Sequence, residues 1–378
     1  MDAPQQASGL PDTAYYAPAF VIEVEGEVLS PETNGDVLDL KVSMAIDNMS
    51  SFQLKVANWD DRNLFFKYSD SHKFDPGSRV HIRMGYADRL ASVFRGQITR
   101  MNAAFPDSGT PTLDVSGQDG LFRLKDQKRE EGEITKYVNK TDSEIAEAVA
   151  ARNGMRSKVT PSNIVHPEVV QKNQDDARFL TERATRIDFD CYVHIDPQTG
   201  EDTLFFVKPT DGRDASAGMQ YVLSWGRDLI SFTPTVNLAS QVAKVTVRGW
   251  NPATKKPIVF TAEPKDLPFA EGGDSGPEMA DKTQPDKKEV IVDAPVKSEQ
   301  EARTLAISLL TERAYRFVTA RGQIIGQPDL RPGDNLELQG LGNRFNGAYH
   351  VRKVEHSIGA NGYRTEFEGR RLRQGEVA

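Results

Sequence analysis

The sequence of 378 residues has a single cysteine, Cys191. A disulfide framework within the chain is therefore excluded, and the fold does not depend on an oxidising compartment. Long apolar runs are also missing, because no stretch approaches the roughly 20 apolar residues of a membrane-spanning helix. The N-terminal MDAPQQASGLPDTAYYAP lacks the basic and apolar segments of a Sec signal peptide. We expect a protein that is made in the cytoplasm and does not insert into a membrane.

An excess of positive charge is absent as well. The formal net charge is −8 and the sequence pI is about 5.4. A nucleic-acid-binding protein needs a basic face for its phosphate contacts, and an anionic membrane surface attracts basic segments. The composition therefore predicts neither a nucleic-acid partner nor a membrane-surface partner.

Metal-binding motifs are scarce. The histidines form neither an HExxH motif nor a Cys/His zinc spacing; they are His72, His81, His166, His194, His350 and His356. His350 and His356 stand six positions apart on what we predict to be adjacent strand-like segments. We predict a structural or surface role for them, and no metal site or cofactor.

Catalytic motifs are weak. The segment GGDSGPE from Gly272 contains the Gly-Asp-Ser-Gly of chymotrypsin-like proteases, but it lies in a polar, proline-rich stretch without a core to hold an oxyanion hole. Asp60 and Asp61, beside Trp59, indicate a turn at a strand end. The glycines of GLGNRFNG, from Gly340, favour a hairpin over a dinucleotide site. We predict no catalytic residues and no enzymatic activity.

What the sequence has is alternation. From Phe20 to about Leu124, apolar and polar residues alternate in short runs separated by turn residues, which predicts an antiparallel sandwich or barrel. Helix patterns follow at TDSEIAEAVAARNG, with Thr141 and Glu144 as a capping box, and at QDDARFLTERATRI. A hairpin with its turn at Asp196–Gly200 is predicted next. A third helix, SEQEARTLAISLLTERAYRF, begins with a capping box at Ser298 and Glu301.

The strand pattern is repeated. FDPGSRVHIRMG and LRPGDNLELQG align Pro76 with Pro332 and Gly77 with Gly333. Asp36 and Asp228 precede similar segments. Further aligned pairs follow in the same order, and together they predict a β domain used twice; these marker pairs are Trp59 with Trp250, Gly96 with Gly347, and Gly117 with Gly369. In this alignment Leu54 and Val56 match Val245 and Val247.

The predicted fold class is mainly β with α+β parts. Two related antiparallel β-barrel domains flank an α/β unit, and a helical insertion lies in the second barrel. Residues 263–288 are polar and rich in Pro and Gly, so we predict an exposed loop there. The predicted divisions are an N-terminal extension (1–19), a first barrel (20–127), a middle domain (128–215), a second barrel (216–262 and 319–372), the polar loop plus long helix (263–318) and a tail (373–378).

Several motifs resemble one family. Three segments resemble parts of the phage late control gene D family, and they occur in the same order as in that family. They are FDPGSRVHIRMGY, ARFLTERATRIDFDCYV and GQPDLRPGDNLELQGLGNRFNGAYHVRKVEHSIGANGYRTEFEGRR. These are baseplate hub proteins, similar to the N-terminal hub region of type VI secretion spike proteins and to hubs of extracellular contractile injection systems. The residues that carry the C-terminal resemblance are Gly322, Pro328, Leu330, Pro332, Gly333, Gly347, Tyr349, Val351, Val354, His356, Gly362, Tyr363 and Phe367.

The resemblance implies a structural role. Hubs of this family are homotrimers in which each subunit has two related β-barrels, so that six similar positions match a sixfold tube. It implies an inner tube protein above, a spike protein below, and baseplate wedge and tape-measure proteins as further candidates. Because only LRQGEVA follows Arg371, we expect the spike to be a separate polypeptide. The particle would be a phage tail, a secretion system or an extracellular injector.

The alternative function is carbohydrate binding by a β protein of a particle or cell surface. Trp59, Trp225 and Trp250 could stack on sugars if they were exposed. We disfavour this alternative, because the aligned positions of Trp59 and Trp250 at strand ends predict packing in a core or at a barrel rim.

Overall fold

The computed structural model describes residues 17–46, 48–120, 124–125, 135–196, 201–209, 220–268, 273–292 and 294–376. Most of this chain is antiparallel β-sheet with few helices, which confirms the predicted fold class. A large sheet of thirteen strands contains strands from both halves of the chain, and smaller sheets lie beside it. None of the helices within these ranges is long and apolar enough to cross a bilayer.

The first β unit occupies the N-terminal part of the chain. Its elements are β1 (Pro18–Val24), β2 (Glu27–Val28), α1 (Pro31–Gly35), β3 (Val37–Ala45), β4 (Ser51–Ala57), β5 (Trp59–Asp60), β6 (Phe65–Phe66), a 3-10 turn (His72–Phe74), β7 (Arg79–Tyr86), β8 (Arg89–Ala104) and β9 (Thr112–Asp119). The alternating burial of β3 and β4 places every second side chain in the core, as their sequence period predicts.

The middle unit contains two helices on short sheets. Its elements are β10 (Thr135–Lys140), α2 (Asp142–Arg152), β11 (Arg156–Val159), β12 (His166–Gln171), α3 (Asp176–Arg186), β13 (Asp190–Ile195) and β14 (Asp202–Val207). The capping box of Thr141 and Glu144 at the start of α2 is confirmed, and Gly154 follows its end with φ of +65°. β13 and β14 form the predicted hairpin, whose turn lies partly outside the described residues.

The second β unit is divided along the chain. It contains β15 (Gln220–Ser224) and β16 (Leu229–Val236) and, after an insertion, β20 (Val318–Ile325), β21 (Asn335–Gln339), β22 (Gly347–Gly359) and β23 (Gly362–Arg371). The inserted unit between them contains β17 (Lys244–Asn251), β18 (Lys256–Ala262), a 3-10 turn (Pro264–Asp266), α4 (Gly276–Thr283), β19 (Lys288–Ile291) and α5 (Glu299–Tyr315).

Three predictions about the insertion need correction. β17 and β18 pair with each other and with β19 in a separate sheet, so residues 244–262 belong to the inserted unit and not to the second barrel. Part of the predicted loop 263–288 is the helix α4. At α5, the Ser298 hydroxyl accepts from the Glu301 amide at 3.1 Å, but the Glu301 carboxylate accepts from the Lys297 amide, so this is not a reciprocal capping box.

The two β units have the same strand order. In the first it runs β3-β4-β9-β8-β7-β1, and in the second β16-β20-β23-β22-β21-β15. The units are joined edge to edge, because β3 pairs antiparallel with β22. One apolar core runs through both units, and the middle and inserted units have cores of their own. One pairing differs, since β1 lies antiparallel to β7 whereas β15 lies parallel to β21.

The irregularities of the two units also coincide. The β3–β4 ladder shifts register between Val37 and Asp39, and the β16–β20 ladder shifts between Leu229 and Ser231. The β8–β9 ladder shifts after Ile98, and the β22–β23 ladder shifts after Val351. A β-bulge adds one residue to one strand of a pair. The shared shifts therefore fix which residues of the two units correspond.

Candidate functional site

The aligned Pro-Gly turns have the same hydrogen bonds. The Gly77 amide donates to the Ile98 carbonyl at 2.8 Å, and the Gly333 amide donates to the Val351 carbonyl at 2.9 Å. The amides of Ile98 and Val351 donate back, to the residues that follow the two glycines, each at 2.9 Å. Pro76 and Pro332 precede the glycines, whose φ angles are +100° and +95°. Both turns therefore lead into corresponding strands, β7 and β21.

The other marker residues are placed by strand register. Gly117 lies opposite Ile98, and Gly369 lies opposite Val351, so these two glycines correspond. Gly96 lies opposite Val80. In the second unit, Tyr349 rather than Gly347 occupies that position, opposite Leu336. The predicted pairing of Gly96 with Gly347 is therefore two residues out.

The pairing of Trp59 with Trp250 is wrong. Trp59 follows β4 in the first unit, whereas Trp250 lies on β17 in the sheet of the inserted unit. The strand that corresponds to β4 is β20, so Leu54 corresponds to Gly322 and Val56 to Ile324. The matches of Leu54 and Val56 to Val245 and Val247 fail for the same reason.

Packing of the tryptophans also differs from the prediction. Trp59 is partly buried against Phe66, with ring centroids 5.1 Å apart. Trp250 is 55% exposed and Trp225 is 54% exposed. Neither of these two indole rings packs in a core.

The catalytic candidates have structural positions. Gly272 lies outside the described residues, but Ser275 is fully buried and caps α4, accepting from the Glu278 amide at 3.3 Å. The Glu278 carboxylate accepts in return from the Ser275 amide at 2.7 Å. Asp60 accepts from the amides of Arg62 and Asn63 within a turn. The polar groups of Ser275 therefore serve the start of α4, and the Asp60 carboxylate serves a turn.

His350 and His356 lie on one strand, β22, rather than on adjacent segments, and both are buried. His356 lies 3.2 Å from the Leu330 carbonyl. His350 lies 3.2 Å from the Asp190 carboxylate and joins the second unit to β13 of the middle unit. Within the described ranges, His, Cys, Asp and Glu form no group of three or more that could hold a metal.

Asp190 is the centre of that junction. It also accepts from Arg352 at 2.8 Å. Burial alone would raise the pKa of Asp190, but the hydrogen bond from His350 and the charge of Arg352 outweigh burial and hold the pKa below its usual value. The carboxylate therefore stays ionised and fastens the middle unit to β22.

A second polar junction joins the middle unit to α5. The His166 ring lies 3.1 Å from an Asp142 oxygen and 3.2 Å from a Glu301 oxygen. Arg183 lies on the same side, 2.8 Å from Nε2 of the ring. The hydrogen bond to Asp142, and then that to Glu301, raise the pKa of His166, against the opposing effects of burial and of the Arg183 charge.

Among the free strand edges in the described part of the chain, two have counterparts in the other β unit that are paired. β8 lies beside β7 only up to Gln97, so its far half, Arg100–Ala104, is paired on the β9 side alone. The corresponding half of β22, from Lys353 to Ile358, is paired on both sides, with β23 and β3. β16 is likewise paired with β20 alone, whereas its counterpart β3 is paired with β4 and β22. We call these two edges the β8 edge and the β16 edge.

Core positions at the free edges are incompletely covered. Val236 on β16 is 38% exposed, but its counterpart Met44 on β3 is 2% exposed. Phe232 is partly buried, and its counterpart Leu40 is fully buried. At the β16 edge, side chains whose counterparts on β3 are covered by β22 therefore lack that cover.

A family model described as the Alg8 N-terminal domain matches residues 16–360. No curated protein matches the sequence. Solved structures share the fold at low identity. A 43 kDa tail protein of prophage MuSo2 from Shewanella oneidensis has a TM-score of 0.67 at 13% identity, covering 93% of this chain and 98% of that chain. A tail protein from Neisseria meningitidis has a TM-score of 0.66 at 12% identity, covering 94% and 97%.

A component of the type VI secretion system of E. coli is also similar, with a TM-score of 0.57 at 12% identity, covering 92% of this chain and 76% of that chain. That protein is described as structurally similar to the phage T4 tail proteins gp27 and gp5. At such identities the likeness concerns the fold. The chain has the fold of solved phage tail proteins.

Proposed function

The chain belongs to the Alg8 N-terminal domain family, and because it shares its fold with phage tail proteins we propose that it is a structural hub subunit of a contractile tail or injection system. Three copies would form a ring in which first and second β units alternate. The ring would join the inner tube to a spike protein. Its role is assembly and not catalysis.

The two free strand edges carry this proposal. Within one chain, a first unit joins a second unit through β3 and β22. The same junction in the opposite order, from a second unit to the next first unit, needs the counterparts of β3 and β22. These counterparts are the β16 edge and the β8 edge, which are both unpaired within the described chain. The junction between a first and a second unit is made once within the chain. The same junction can form again between two copies, and its repetition closes the ring.

The β3–β22 register sets the register between copies. Ser43 lies opposite Glu355 and Met44 lies opposite Val354. Transferred to the counterparts, Thr235 of one copy lies opposite Asn102 of the next, and Val236 lies opposite Met101. This contact covers the half-exposed core positions of both edges. Pro234 stands where β3 has Val42, and because proline has no N–H it can donate no ladder hydrogen bond at that position.

Light scattering coupled to size exclusion tests the ring. We expect a trimer for the unmodified chain and a monomer for Val236→Asp, because a carboxylate would be buried without a partner at the contact between copies. Val165→Asp is the matched control, since Val165 is equally apolar and 59% exposed in the middle unit. A wild-type chain that stays monomeric at micromolar concentration would contradict the proposal. Electron cryomicroscopy of the particle would test the tube and spike contacts.

The exposed indole rings of Trp225 and Trp250 support a second candidate, carbohydrate binding, because exposed aromatic faces can stack on sugars. A glycan array probed with the folded chain tests it. Binding that is lost in Trp225→Ala or Trp250→Ala, with folding intact, would favour this candidate.

A further inference from the structure

The three-stranded sheet of the inserted unit is covered on one face only. Val245 and Val247 of β17 are fully buried and pack with Leu305 and Ala306 of α5. Gly249 lies on the same covered face, where an added Cβ would stand 2.2 Å from the Val296 side chain. The alternate residues of these strands point to the opposite face. We call this opposite face the open face.

Large apolar side chains lie on the open face. Trp250 is 55% exposed, Val259 is 55% exposed and Val290 is 40% exposed. Trp250 lies directly opposite Pro257, and Val259 lies directly opposite Arg248. Trp250 and Val259 are therefore diagonal neighbours on adjacent strands. Exposed apolar groups that cluster in this way mark interaction sites more often than scattered ones do.

Positive charges outnumber negative ones on the open face. Arg248 of β17 and Lys288 of β19 point to it, as does Lys244, which lies opposite Lys288. Lys244 pairs with Glu263 at 3.0 Å. Arg248 and Lys288 have no ion pair with any residue that the structure describes. A cationic face on a chain of net charge −8 indicates a complementary, acidic partner.

We propose that the open face binds an acidic amphipathic helix of a partner protein. The apolar stripe of the helix would pack on Trp250, Val259 and Val290, and carboxylates along its margins would meet Arg248 and Lys288. A helix suits this face because α5 already packs its own apolar stripe on the opposite face. A second helix would complete a three-layer arrangement.

The test uses the full chain and a fluorescein-labelled synthetic helix, with Leu at positions i, i+3, i+4 and i+7 and Glu on both margins. Fluorescence anisotropy should report saturable binding that weakens as salt is added, since exposed ion pairs are screened. Trp250→Ala and Arg248→Glu should each weaken binding at least tenfold. Trp225→Ala is the matched control, because Trp225 is 54% exposed elsewhere, and it should leave binding unchanged.

Other occupants give different results. A peptide with the same leucines but with Lys in place of Glu should not bind. Equal binding by Trp225→Ala and Trp250→Ala, or no binding of the acidic peptide, would overturn the proposal. If Trp250→Ala instead converts a trimer into monomers, another copy of this chain covers the open face, which also overturns it.

Discussion

Gly77 and Gly333 occupy corresponding turns but differ in how closely other atoms approach them. Both glycines have φ near +100° in corresponding turns. A Cβ added at Gly77 would meet no atom within 4 Å, but at Gly333 it would stand 2.7 Å from the Tyr192 hydroxyl oxygen. Gly333 therefore supports both a turn and the contact of the second β unit with β13 of the middle unit.

We expect Gly77→Ala to lower the free energy of unfolding by about 1–2 kcal/mol, the cost of a left-handed backbone for a residue with a Cβ. Gly333→Ala should cost more, since the Tyr192 hydroxyl must also move. Urea denaturation of each variant measures the difference. Gly35→Ala is the control without strain, because Gly35 has ordinary φ and open space. Equal stability of Gly77→Ala and Gly35→Ala would show that this turn is not strained.

Ser275 gives a second prediction for a single residue. Its hydroxyl caps α4, so Ser275→Ala should lower the free energy of unfolding by about 1 kcal/mol. Ser275→Thr keeps a hydroxyl acceptor at the same place and should lose less. Denaturation curves measure both variants. A loss of hydrolytic activity in Ser275→Ala, with stability unchanged, would instead support a nucleophile at this position.

The turn residues could be predicted from the sequence, but the strand that corresponds to β4 could not. Leu54 faces Val115 in the first unit, and the corresponding pair in the second is Gly322 and Phe367. A Cβ on Gly322 would lie 2.4 Å from the Phe367 ring. Side-chain volume has thus moved from one strand to its neighbour, and an alignment of each strand alone cannot detect that exchange. The alternating apolar residues of β17 resemble those of β4 more closely than β20 does, but β17 is not the corresponding strand.

Among the elements, α4 replaces part of the predicted loop although its signal is in the sequence. The polar composition of residues 263–288 predicted a loop, but Ser275 and Glu278 have the spacing of a capping box and Pro277 stands in the first turn. The long helix α5 was predictable because its stripe of Ala302, Leu305, Ala306 and Leu310 has helical spacing. The contact of α5 with His166 was not, since it joins residues far apart in the chain.

The contact of β12 with α5 should depend on pH. The pKa of His166 is raised in the folded chain by hydrogen bonds to Asp142 and Glu301. A raised folded pKa stabilises the fold below the unfolded value, about 6.5 for histidine, and that stabilisation is lost as pH rises through the folded value. The difference in free energy of unfolding between wild type and His166→Gln should therefore shrink above neutral pH.

Urea denaturation of both proteins from pH 6 to pH 8.5 checks this expectation. Comparing the two proteins removes the contribution of the other histidines, several of which have lowered pKa values in the fold. A difference that does not change with pH would indicate a neutral His166 ring that accepts a hydrogen bond from Arg183.

For the whole molecule, the proposed register between copies can be tested by cross-linking. Directly opposed residues of an antiparallel ladder have Cα atoms about 4.5–5.5 Å apart, a separation that a disulfide can span. We expect Thr235→Cys combined with Asn102→Cys to give covalent trimers on a non-reducing gel after mild oxidation. The native Cys191 is buried and should not interfere.

An off-register pair is the control for that experiment. Thr233→Cys with Asn102→Cys places the thiols diagonally, about 7–8 Å apart, and should cross-link poorly. Each single variant should remain monomeric on the gel. Equal cross-linking by both pairs would contradict the register, although the chain could still be a trimer by light scattering.

The ladder between β3 and β22 joins Leu40 to Ile358, so it connects early and late parts of the chain. During synthesis, β3 leaves the ribosome long before β22 exists, and its edge stays unpaired meanwhile. Because β3 is the counterpart of β16, the proposed contact between copies implies that the unpaired β3 edge can also meet the β8 edge of a neighbouring chain. Only when β22 emerges does β3 become occupied and leave β16 as the one edge of its kind. In the proposed ring, the synthesis of β22 therefore decides when a subunit can join others without mispairing.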